Sequence, residues 1–444
     1  MTRDMKSHIL LKHINLLDVE NGVLINDTDI LIKDDIIKEI GRAKCRNEES
    51  LMQFNCAGKF ALPGLFDCHT HLNVLTNQGN EVKKEILKEG GIEENIQEHL
   101  EKQTLKDFAV KGITQLRDLG GPFNILKDLK DKISRGEYTG PEIFYAGPRL
   151  EKNPLTAEAN NSRWPGWTIA VDTRQDAENV IQEISGQNGS LVKTFGRFDT
   201  DILKYLLDQA TKHSLPLTHD SGSTFFHSVP IGTGIDLGIK CFEHGKNLWY
   251  VALKDELKSE HDGLVNAQVE VKQSFIEKVM SLGTDSISLA KLWTLINKML
   301  ENDVYLCPTL HVMKFFAEKP EVISEDEPEK YKKIFEKLYQ VGYELTKEII
   351  KGKIKILVGQ DGYIPRFTFN EMELLKEVGL PEWEIIKGAS IYPAKWLGVA
   401  DKFGSISPNK KANVLILDKS PLEHIRNIRT TYLVLKDGKV VFQG

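Results

Sequence analysis

The chain has 444 residues, enough for one large domain with a smaller one beside it. Its 58 basic and 64 acidic residues give a net charge of −6, which excludes the strongly basic surface of a nucleic-acid-binding protein. A hydrophobic content of 41% and a charged content of 27% are ordinary for a soluble globular protein.

The sequence contains no recognisable targeting or membrane-spanning segment. Residues 1–8 are not followed by a long apolar run with a cleavage site, and apolar runs such as residues 414–417 are too short to span a bilayer. The five cysteines are widely spaced and form no Cys-x-x-Cys pair. We therefore expect a cytoplasmic protein without a disulfide framework or a thiolate zinc site.

Both ends of the chain predict β structure. Residues 1–60 carry short alternating apolar runs separated by turn signals such as Asn21-Gly22. Residues 401–444 carry further strand-like runs, and Asp437-Gly438 predicts a two-residue hairpin turn between the last two. Neither end has enough apolar surface to fold alone. We predict that the two ends pack together as one small β-sandwich domain.

The centre of the chain, residues 61–400, alternates between apolar runs and charged segments with helical periodicity. Eight such strand–helix units in series predict an α/β fold, a (β/α)8 TIM barrel. Residues 72–110 and 245–300 are longer than one crossover needs and predict helical insertions over the barrel mouth. The eight apolar runs are residues 61–66, 113–116, 143–146, 191–195, 215–218, 240–243, 303–307 and 355–359.

His69 and His71 lie two residues apart, directly after the first apolar run. Residues i and i+2 of a strand share a face, so both imidazoles are expected to point in the same direction. The carboxyl end of a barrel strand opens on the pocket where such enzymes act, and two neutral imidazoles form half of a metal shell. Alone, a His-x-His pair is a weak signal, because such pairs also occur by chance.

Possible ligands lie within or just after four further apolar runs. They are Lys193, His219, His244 and Asp361, each at the point where a strand is expected to end. The first three follow one another at intervals close to the length of one strand–helix unit. Such regular spacing is rare among scattered core residues, so the sequence predicts a metal site at the carboxyl end of the barrel.

The motif at residues 62–71 resembles the first-strand signature of the amidohydrolase superfamily. Residues 112–120 and 242–245 are similar to the imidazolonepropionase-like branch, which also contains Xaa-Pro dipeptidase-like metal-dependent carboxypeptidases. Residues 404–417, followed by 436–439, are similar to the closing β segment of that superfamily. The resemblance covers nearly the whole chain.

This resemblance implies a binuclear centre of two Zn²⁺ ions. Lys193 matches the position of a carboxylated lysine that bridges the two ions. The chemistry is consistent, because a buried ammonium beside two cations is disfavoured and addition of CO₂ turns it into an anionic ligand. Asp361 is implied to bind the first ion and to carry the proton. The remaining implied ligands are His69 and His71 for the first ion and His219 and His244 for the second.

The implied activity is hydrolysis of a carbon–nitrogen bond. A metal-activated hydroxide would attack the carbonyl of an amide or peptide, and Asp361 would deliver the proton to the leaving nitrogen. The expected substrate is a dipeptide, an N-acyl amino acid or a related amide. Further copies of the chain, in a homo-oligomer, are the other expected partner, and neither nucleic acid nor a membrane is expected.

Two other functions remain open. A mononuclear deaminase, or a cyclic amide or amidine hydrolase of the imidazolonepropionase type, would use His69, His71, one further histidine and Asp361. Deaminases of the superfamily place a glutamate a few residues after the fifth-strand histidine, whereas residues 220–223 here contain none. A non-catalytic scaffold is expected to have lost ligands, and all six candidates are present.

Loops after the predicted strands offer candidates for substrate binding. His227 follows the fifth strand, and Arg149, one of several arginines in such positions, follows the third. An arginine there can hold a substrate carboxylate with two parallel hydrogen bonds. At the end of the second strand, Arg117 and Asp118 predict a structural ion pair.

The fifth strand departs from the family pattern at its end. Relatives often have His-Ala-x-Gly there, whereas residues 219–222 read His-Asp-Ser-Gly. The change removes no predicted ligand, but it lies against the pocket. The resemblance therefore predicts the metal ligands more directly than it predicts the substrate.

Overall fold

The structure, a computed structural model, describes residues 8–42, 51–72, 96–163, 165–222, 228–264, 269–324 and 326–444. The strands are β1 His8–Asp18, β2 Val23–Lys33, β3 Ile36–Ile40, β4 Leu51–Asn55, β5 Phe60–Pro63, β6 Leu65–Thr70, β7 Ile113–Asp118, β8 Glu142–Tyr145, β9 Arg149–Glu151, β10 Thr168–Ala170, β11 Val192–Phe195, β12 Leu217–Asp220, β13 Cys241–Glu243, β14 Tyr305–Cys307, β15 Lys355–Ile356, β16 Val414–Leu417, β17 Thr431–Lys436 and β18 Lys439–Gln443. The α-helices are α1 Ile96–Val110, α2 Phe123–Ser134, α3 Pro154–Arg163, α4 Arg174–Gly186, α5 Thr200–Lys212, α6 Ile231–Leu237, α7 Leu248–Ala252, α8 Asp255–Gly263, α9 Val269–Leu282, α10 Leu289–Glu301, α11 Leu310–Glu318, α12 Pro328–Lys351, α13 Pro365–Val378, α14 Glu382–Gly388 and α15 Ile391–Trp396.

Strands from both ends of the chain form one eight-stranded sheet. Strand β5 joins the two ends, because it pairs with β1 on one side and with β16 on the other. The predicted hairpin between β17 and β18 is present: Asp437 and Gly438 have φ angles of 48° and 70°, as a two-residue hairpin of this handedness requires. The ends therefore meet as expected, although their strands pair as a single sheet in the described residues.

The eight apolar runs of the centre all contain strands, and β6 to β8 and β11 to β15 among them pair in parallel. The mixed α/β class is confirmed. The pairing gives two sheets, one of seven strands from β9 to β15 and one made of β6, β7 and β8, so a single closed ring of eight strands is not confirmed. Backbone bonds link the two sheets at two places, from Ser190 N–H to the Tyr145 carbonyl and from Cys68 N–H to the Val358 carbonyl, each 2.8 Å long.

Two further features of the centre differ from the sequence prediction. The first apolar run is divided at Gly64, so that β5 belongs to the end sheet and only β6 reaches the candidate ligands. Two short strands, β9 and β10, were not predicted and extend the larger sheet beside β11.

The two faces of the parallel strands contribute to different apolar clusters. Phe242 and Val358 pack into a large cluster that also contains the buried faces of the surrounding helices. Leu191, Cys241 and Cys307 pack into a smaller cluster on the opposite face. Successive residues of a strand alternate between its two faces. The large cluster therefore marks the face that the helices cover, and the smaller cluster marks the opposite face, called the enclosed face below.

Helices fill the segments that were predicted as insertions. Helices α7 to α10 occupy most of residues 245–300, and α1 forms the end of the insertion at 72–110, whose residues 73–95 lie outside the described residues. Among the helices that are described, none is both long enough and apolar enough to cross a bilayer. The four described cysteines are buried and unpaired.

Candidate metal centre

His69, His71 and Asp361 converge where β6 and the segment after β15 end side by side. Asp361 Oδ1 lies 3.3 Å from His69 Nε2 and 3.2 Å from His71 Nε2. The Asp361 N–H donates to the His69 carbonyl at 2.8 Å, which holds the two segments in register. A Cβ atom added at Gly359 would lie 2.7 Å from His69 Cβ, so this approach requires glycine.

His244 completes this cluster from the end of β13. One donor atom from each of His69, His244 and Asp361 lies within 4.8 Å of the others. His244 and Asp361 have φ angles of 65° and 57°, in the left-handed region, which costs non-glycine residues about 1–3 kcal/mol. His244 is held there by its N–H, which donates to the Cys307 carbonyl at 2.7 Å, and by a 2.7 Å bond between Nδ1 and Thr309 Oγ1.

The protonation states in this cluster suit a cation. Burial lowers the pKa of His69 to about 3, so its imidazole is neutral at physiological pH. Burial alone would raise the pKa of Asp361, but His69 and His71 hold that carboxyl well below its usual pKa range. Neutral imidazoles and an ionised carboxylate are the forms in which these side chains bind metal ions. The chemistry of the donor set therefore fits a divalent cation.

Glu243 supports His69 from the enclosed face of β13. Glu243 Oε2 lies 2.9 Å from His69 Nδ1, while Oε1 accepts hydrogen bonds from Arg117 Nη2 and Thr218 Oγ1, both at 2.6 Å. Burial would raise the pKa of Glu243, but Arg117 and His69 lower it below its usual range. A carboxylate on the far nitrogen of a metal-binding imidazole fixes its tautomer and its orientation.

The predicted ion pair between Arg117 and Asp118 is wrong. These neighbours lie on a strand and point to opposite faces, so Arg117 reaches Glu243 instead. Asp118 accepts the N–H groups of Leu72 and Gly120, at 2.7 and 3.2 Å, and so shapes the loop that follows the two histidines.

Lys193 joins the cluster through Asp220. Its side chain is 3% exposed, and its Nζ lies 4.0 Å from Asp220 Oδ2. The Nζ atom has no hydrogen-bond partner within the described part of the chain. The same Asp220 oxygen lies 3.1 Å from His244 Nε2, and the other accepts a hydrogen bond from Asn247 Nδ2 at 2.6 Å. The Lys193 ammonium is therefore buried beside one carboxylate, and among the described residues it lacks the hydrogen bonds that a buried charge normally forms.

His219 is not brought to the other predicted ligands. Its Nδ1 lies 2.8 Å from Thr194 Oγ1 and its Nε2 lies 3.0 Å from the Val229 carbonyl. Its ring faces that of Phe242, with 6.3 Å between centroids. Both ring nitrogens are thus engaged, and burial lowers the pKa of His219 to about 4.

Arg149, at the start of β9, is held between two aromatic rings. Its guanidinium carbon lies 4.1 Å from the ring centroid of Trp167 and 4.0 Å from that of Phe195. Burial lowers the pKa of Arg149 to about 10, and the nearby charge of Asp220 opposes this shift. Among the described carboxylates, none lies within ion-pair distance of this guanidinium. The other candidate for substrate binding, His227, lies outside the described residues.

Three residues of the centre were not predicted from the sequence: Asp220, Glu243 and Thr309. A signal for Asp220 was present, because Leu215, Leu217 and His219 alternate along one face of the strand and leave residue 220 on the other. Glu243 lies two residues after Cys241 on the same strand, so the two side chains share a face. Thr309 follows β14, for which no ligand was predicted, and nothing in its local sequence indicates a role.

Comparisons with known proteins support the resemblance seen in the sequence motifs. Residues 339–441 match the amidohydrolase family. An imidazolonepropionase of Psychromonas ingrahamii is 33% identical over 101 residues, which are 19% of this chain and 24% of that relative. The similarity thus spans about a quarter of the relative's length.

Solved structures of prolidase-like proteins share the fold over almost the whole chain. A prolidase complexed with N-methylphosphonate-L-proline has a TM-score of 0.72 at 19% identity, covering 99% of this chain and 100% of that one. A Xaa-Pro dipeptidase with methionine bound in its active site has a TM-score of 0.71 at 20% identity, with the same coverage. These comparisons agree with the resemblance to the amidohydrolase family, and the solved structures show that the chain shares their fold.

Proposed function

We propose that this amidohydrolase-family chain hydrolyses a carbon–nitrogen bond in a small amide or peptide. The observation that carries the proposal is the convergence of His69, His71, His244 and Asp361 at neighbouring strand ends. In this proposal, residues 61–400 form the catalytic (β/α)8 barrel, and residues 1–60 and 401–444 form the accessory β domain. The shared fold with prolidase structures supports this division.

The proposed centre holds two divalent ions, with Zn²⁺ as the expected metal. Donor atoms that share one Zn²⁺ at about 2.0–2.2 Å lie about 3–3.5 Å from one another. The distances of 3.3 and 3.2 Å from Asp361 Oδ1 to His69 and His71 match this spacing. His244 and Lys193 would hold the second ion, and carboxylation of Lys193 would supply an anionic donor.

Asp361 is the proposed proton carrier. When bound, the metal ions polarise the substrate carbonyl and lower the pKa of a water molecule to about 7. The ionised Asp361 carboxylate would accept a proton from the attacking water and pass it to the leaving nitrogen. His69 keeps its orientation through Glu243, and His244 keeps its own through Thr309.

Arg149 is the proposed binding group for a substrate carboxylate. Its guanidinium is stacked between Trp167 and Phe195, which restricts its rotation, and its Nε–H donates to Thr168 Oγ1 at 3.3 Å. The two terminal nitrogens would form the parallel bonds to a carboxylate. Trp167 also contacts His71 edge-on, with 5.6 Å between ring centroids, so this arginine lies close to the metal centre. A dipeptide or an N-acyl amino acid carries the carboxylate that such a site recognises.

A substrate screen combined with metal analysis tests the proposal. Metal-replete protein is assayed with dipeptides, N-acyl amino acids and lactams, and its metal content is measured by mass spectrometry. We expect about two ions per chain, hydrolysis of at least one acyclic class, and about one ion per chain in Lys193→Ala. One tightly bound ion together with full activity in Lys193→Ala would contradict the binuclear centre. Protein without any bound ion would contradict the function.

The match to an imidazolonepropionase supports a second candidate, hydrolysis of a cyclic amide. The same screen separates the two, because preferred turnover of lactams over dipeptides would favour the cyclic class. Release of ammonia from aromatic heterocycles would instead favour a deaminase.

A further inference from the structure

We propose that Asp220, and not the neighbouring His219, supplies the ligand that β12 contributes to the second metal ion. The inference rests on the proposed metal centre and refines it. It replaces an imidazole with a carboxylate at the position where the family resemblance implies a histidine.

The register between β11 and β12 places Asp220 on the enclosed face. Lys193 lies opposite Thr218, and Phe195 lies opposite Asp220. In a parallel sheet, residues opposite each other point to the same face, and residues two apart on one strand share it. Thr218 donates to Glu243 on the enclosed face, so Asp220 is directed there as well.

The same register places His219 on the helix-covered face. His219 lies opposite Thr194 and contacts Phe242, which belongs to the large cluster that includes the helices. A Cβ atom added at Gly234 of α6 would lie 2.9 Å from Phe242 Cε1, so helix and strand are in close contact on this side. To reach the metal centre, His219 would need a one-residue shift of β12, which would move every side chain of the strand to the other face.

The donor atoms around Asp220 have the spacing that a shared ion requires. Asp220 Oδ2 lies 3.1 Å from His244 Nε2, within the range of about 3–3.5 Å between ligand atoms on one Zn²⁺. The Lys193 Nζ, buried and without a hydrogen-bond partner in the described residues, lies 4.0 Å from the same oxygen. Asn247 holds the second carboxylate oxygen and so orients the first toward the ion.

A carboxylate in place of an imidazole changes the chemistry of the second ion. It adds one negative charge and a harder donor atom, which favours oxygen-preferring divalent ions such as Mn²⁺ more than a histidine would. The second site is therefore expected to favour Zn²⁺ over Mn²⁺ less strongly than it would with a histidine from β12.

Metal content in three variants of the full chain tests the assignment: Asp220→Asn, Asp220→His and His219→Asn. After loading with Zn²⁺ or with Co²⁺, ions per chain are counted by mass spectrometry and the Co²⁺ absorption spectrum is recorded. We expect Asp220→Asn to lose about one ion per chain, His219→Asn to keep about two, and Asp220→His to regain the second ion with a changed spectrum.

The opposite pattern would overturn the inference: loss of the second ion in His219→Asn and its retention in Asp220→Asn. Circular dichroism of each variant shows whether it has folded. If Asp220→Asn has not folded, Asp220→His takes its place in the test. A second ion with an unchanged Co²⁺ spectrum in Asp220→His would also overturn the assignment. Wild-type protein that binds no ion would contradict the proposed function itself, so the two failures are distinguishable.

Discussion

The two sides of the metal centre differ in how directly the sequence determines them. On the side of β6 and β15, His69, His71 and Asp361 meet with the donor distances expected of a shared ion. On the side of β11 and β12, the predicted His219 faces the helices, and its neighbour Asp220 faces the site. A pair of histidines two residues apart shares one face whatever the register is, whereas a lone histidine on a short strand depends on it entirely.

The two sides are linked through a small number of buried groups. Glu243 contacts His69 on one side and Thr218 on the other. His244 lies near Asp361 through Nδ1 and near Asp220 through Nε2. These contacts make the two sides interdependent. Substitutions of the residues involved test whether one side of the centre can be altered without affecting the other.

The largest effect is expected on the side of β6 and β15. Asp361→Asn keeps the shape of the side chain but cannot accept a proton, so hydrolysis should slow by about 10²–10⁴-fold. Steady-state rates on the best substrate of the screen measure this. Asp418→Asn, at an exposed ion pair with Lys59, is the matched control and should change the rate by less than about twofold. A decrease of less than tenfold in Asp361→Asn would shift the proton-carrying role to the other side of the centre.

A loss of stability is expected when the link between the sides is broken. Glu243→Gln leaves the buried Arg117 without its ion-pair partner and should lower the free energy of unfolding by about 3–5 kcal/mol. Urea denaturation of the protein measures this change. Glu142→Gln, which breaks the half-exposed ion pair with Lys130, should cost less than about 1 kcal/mol. Equal costs for the two variants would show that Glu243 does not hold the centre together.

A smaller effect is expected at Arg149, whose pKa is influenced by Asp220 on the second side. Arg149→Lys keeps the charge but removes the paired donors, a loss of about 1.5–3 kcal/mol that corresponds to a rise in KM of about 10–100-fold. The rise should appear with a dipeptide and be absent with the same dipeptide carrying a C-terminal amide. An equal rise for both would exclude carboxylate recognition by Arg149.

The most gradual effect, and the smallest per pH unit, is a pH dependence of stability that arises at Glu371. Its carboxylate accepts the N–H groups of Leu310 and His311, next to the Thr309 that holds His244, and burial raises its pKa from 4.5 to about 8. Between these pH values the folded protein keeps a proton that the unfolded chain has released. The stabilisation is therefore complete below pH 4.5 and is lost as the pH rises through 8.

Denaturation of wild type and Glu371→Gln at several pH values isolates this contribution. Wild type should lose stability relative to Glu371→Gln as the pH rises, by no more than about 1.4 kcal/mol per pH unit. A gain in the relative stability of wild type over the same range would mean that Glu371 is ionised in the folded protein.

The positions of the elements were largely predictable from local patterns. Apolar runs bounded by glycine and polar residues identify buried strands, so all eight central strands were found and their ends carried the candidate ligands. The strand pairing was less accessible, because β9 and β10 have only three residues each and carry too little periodicity to be recognised. Arg149 became a defined candidate only when β9 placed it between Trp167 and Phe195.

By itself, the sequence indicated the family resemblance, the α/β alternation and the candidate ligands on the side of β6 and β15, because these depend on spacing along the chain. Tertiary structure alone decided between His219 and Asp220, because side chains alternate along a strand and the pairing of β12 with β11 sets which one is enclosed. It also decided the partners of Arg117 and Glu243, which are 126 residues apart in the chain and meet only in the packed interior.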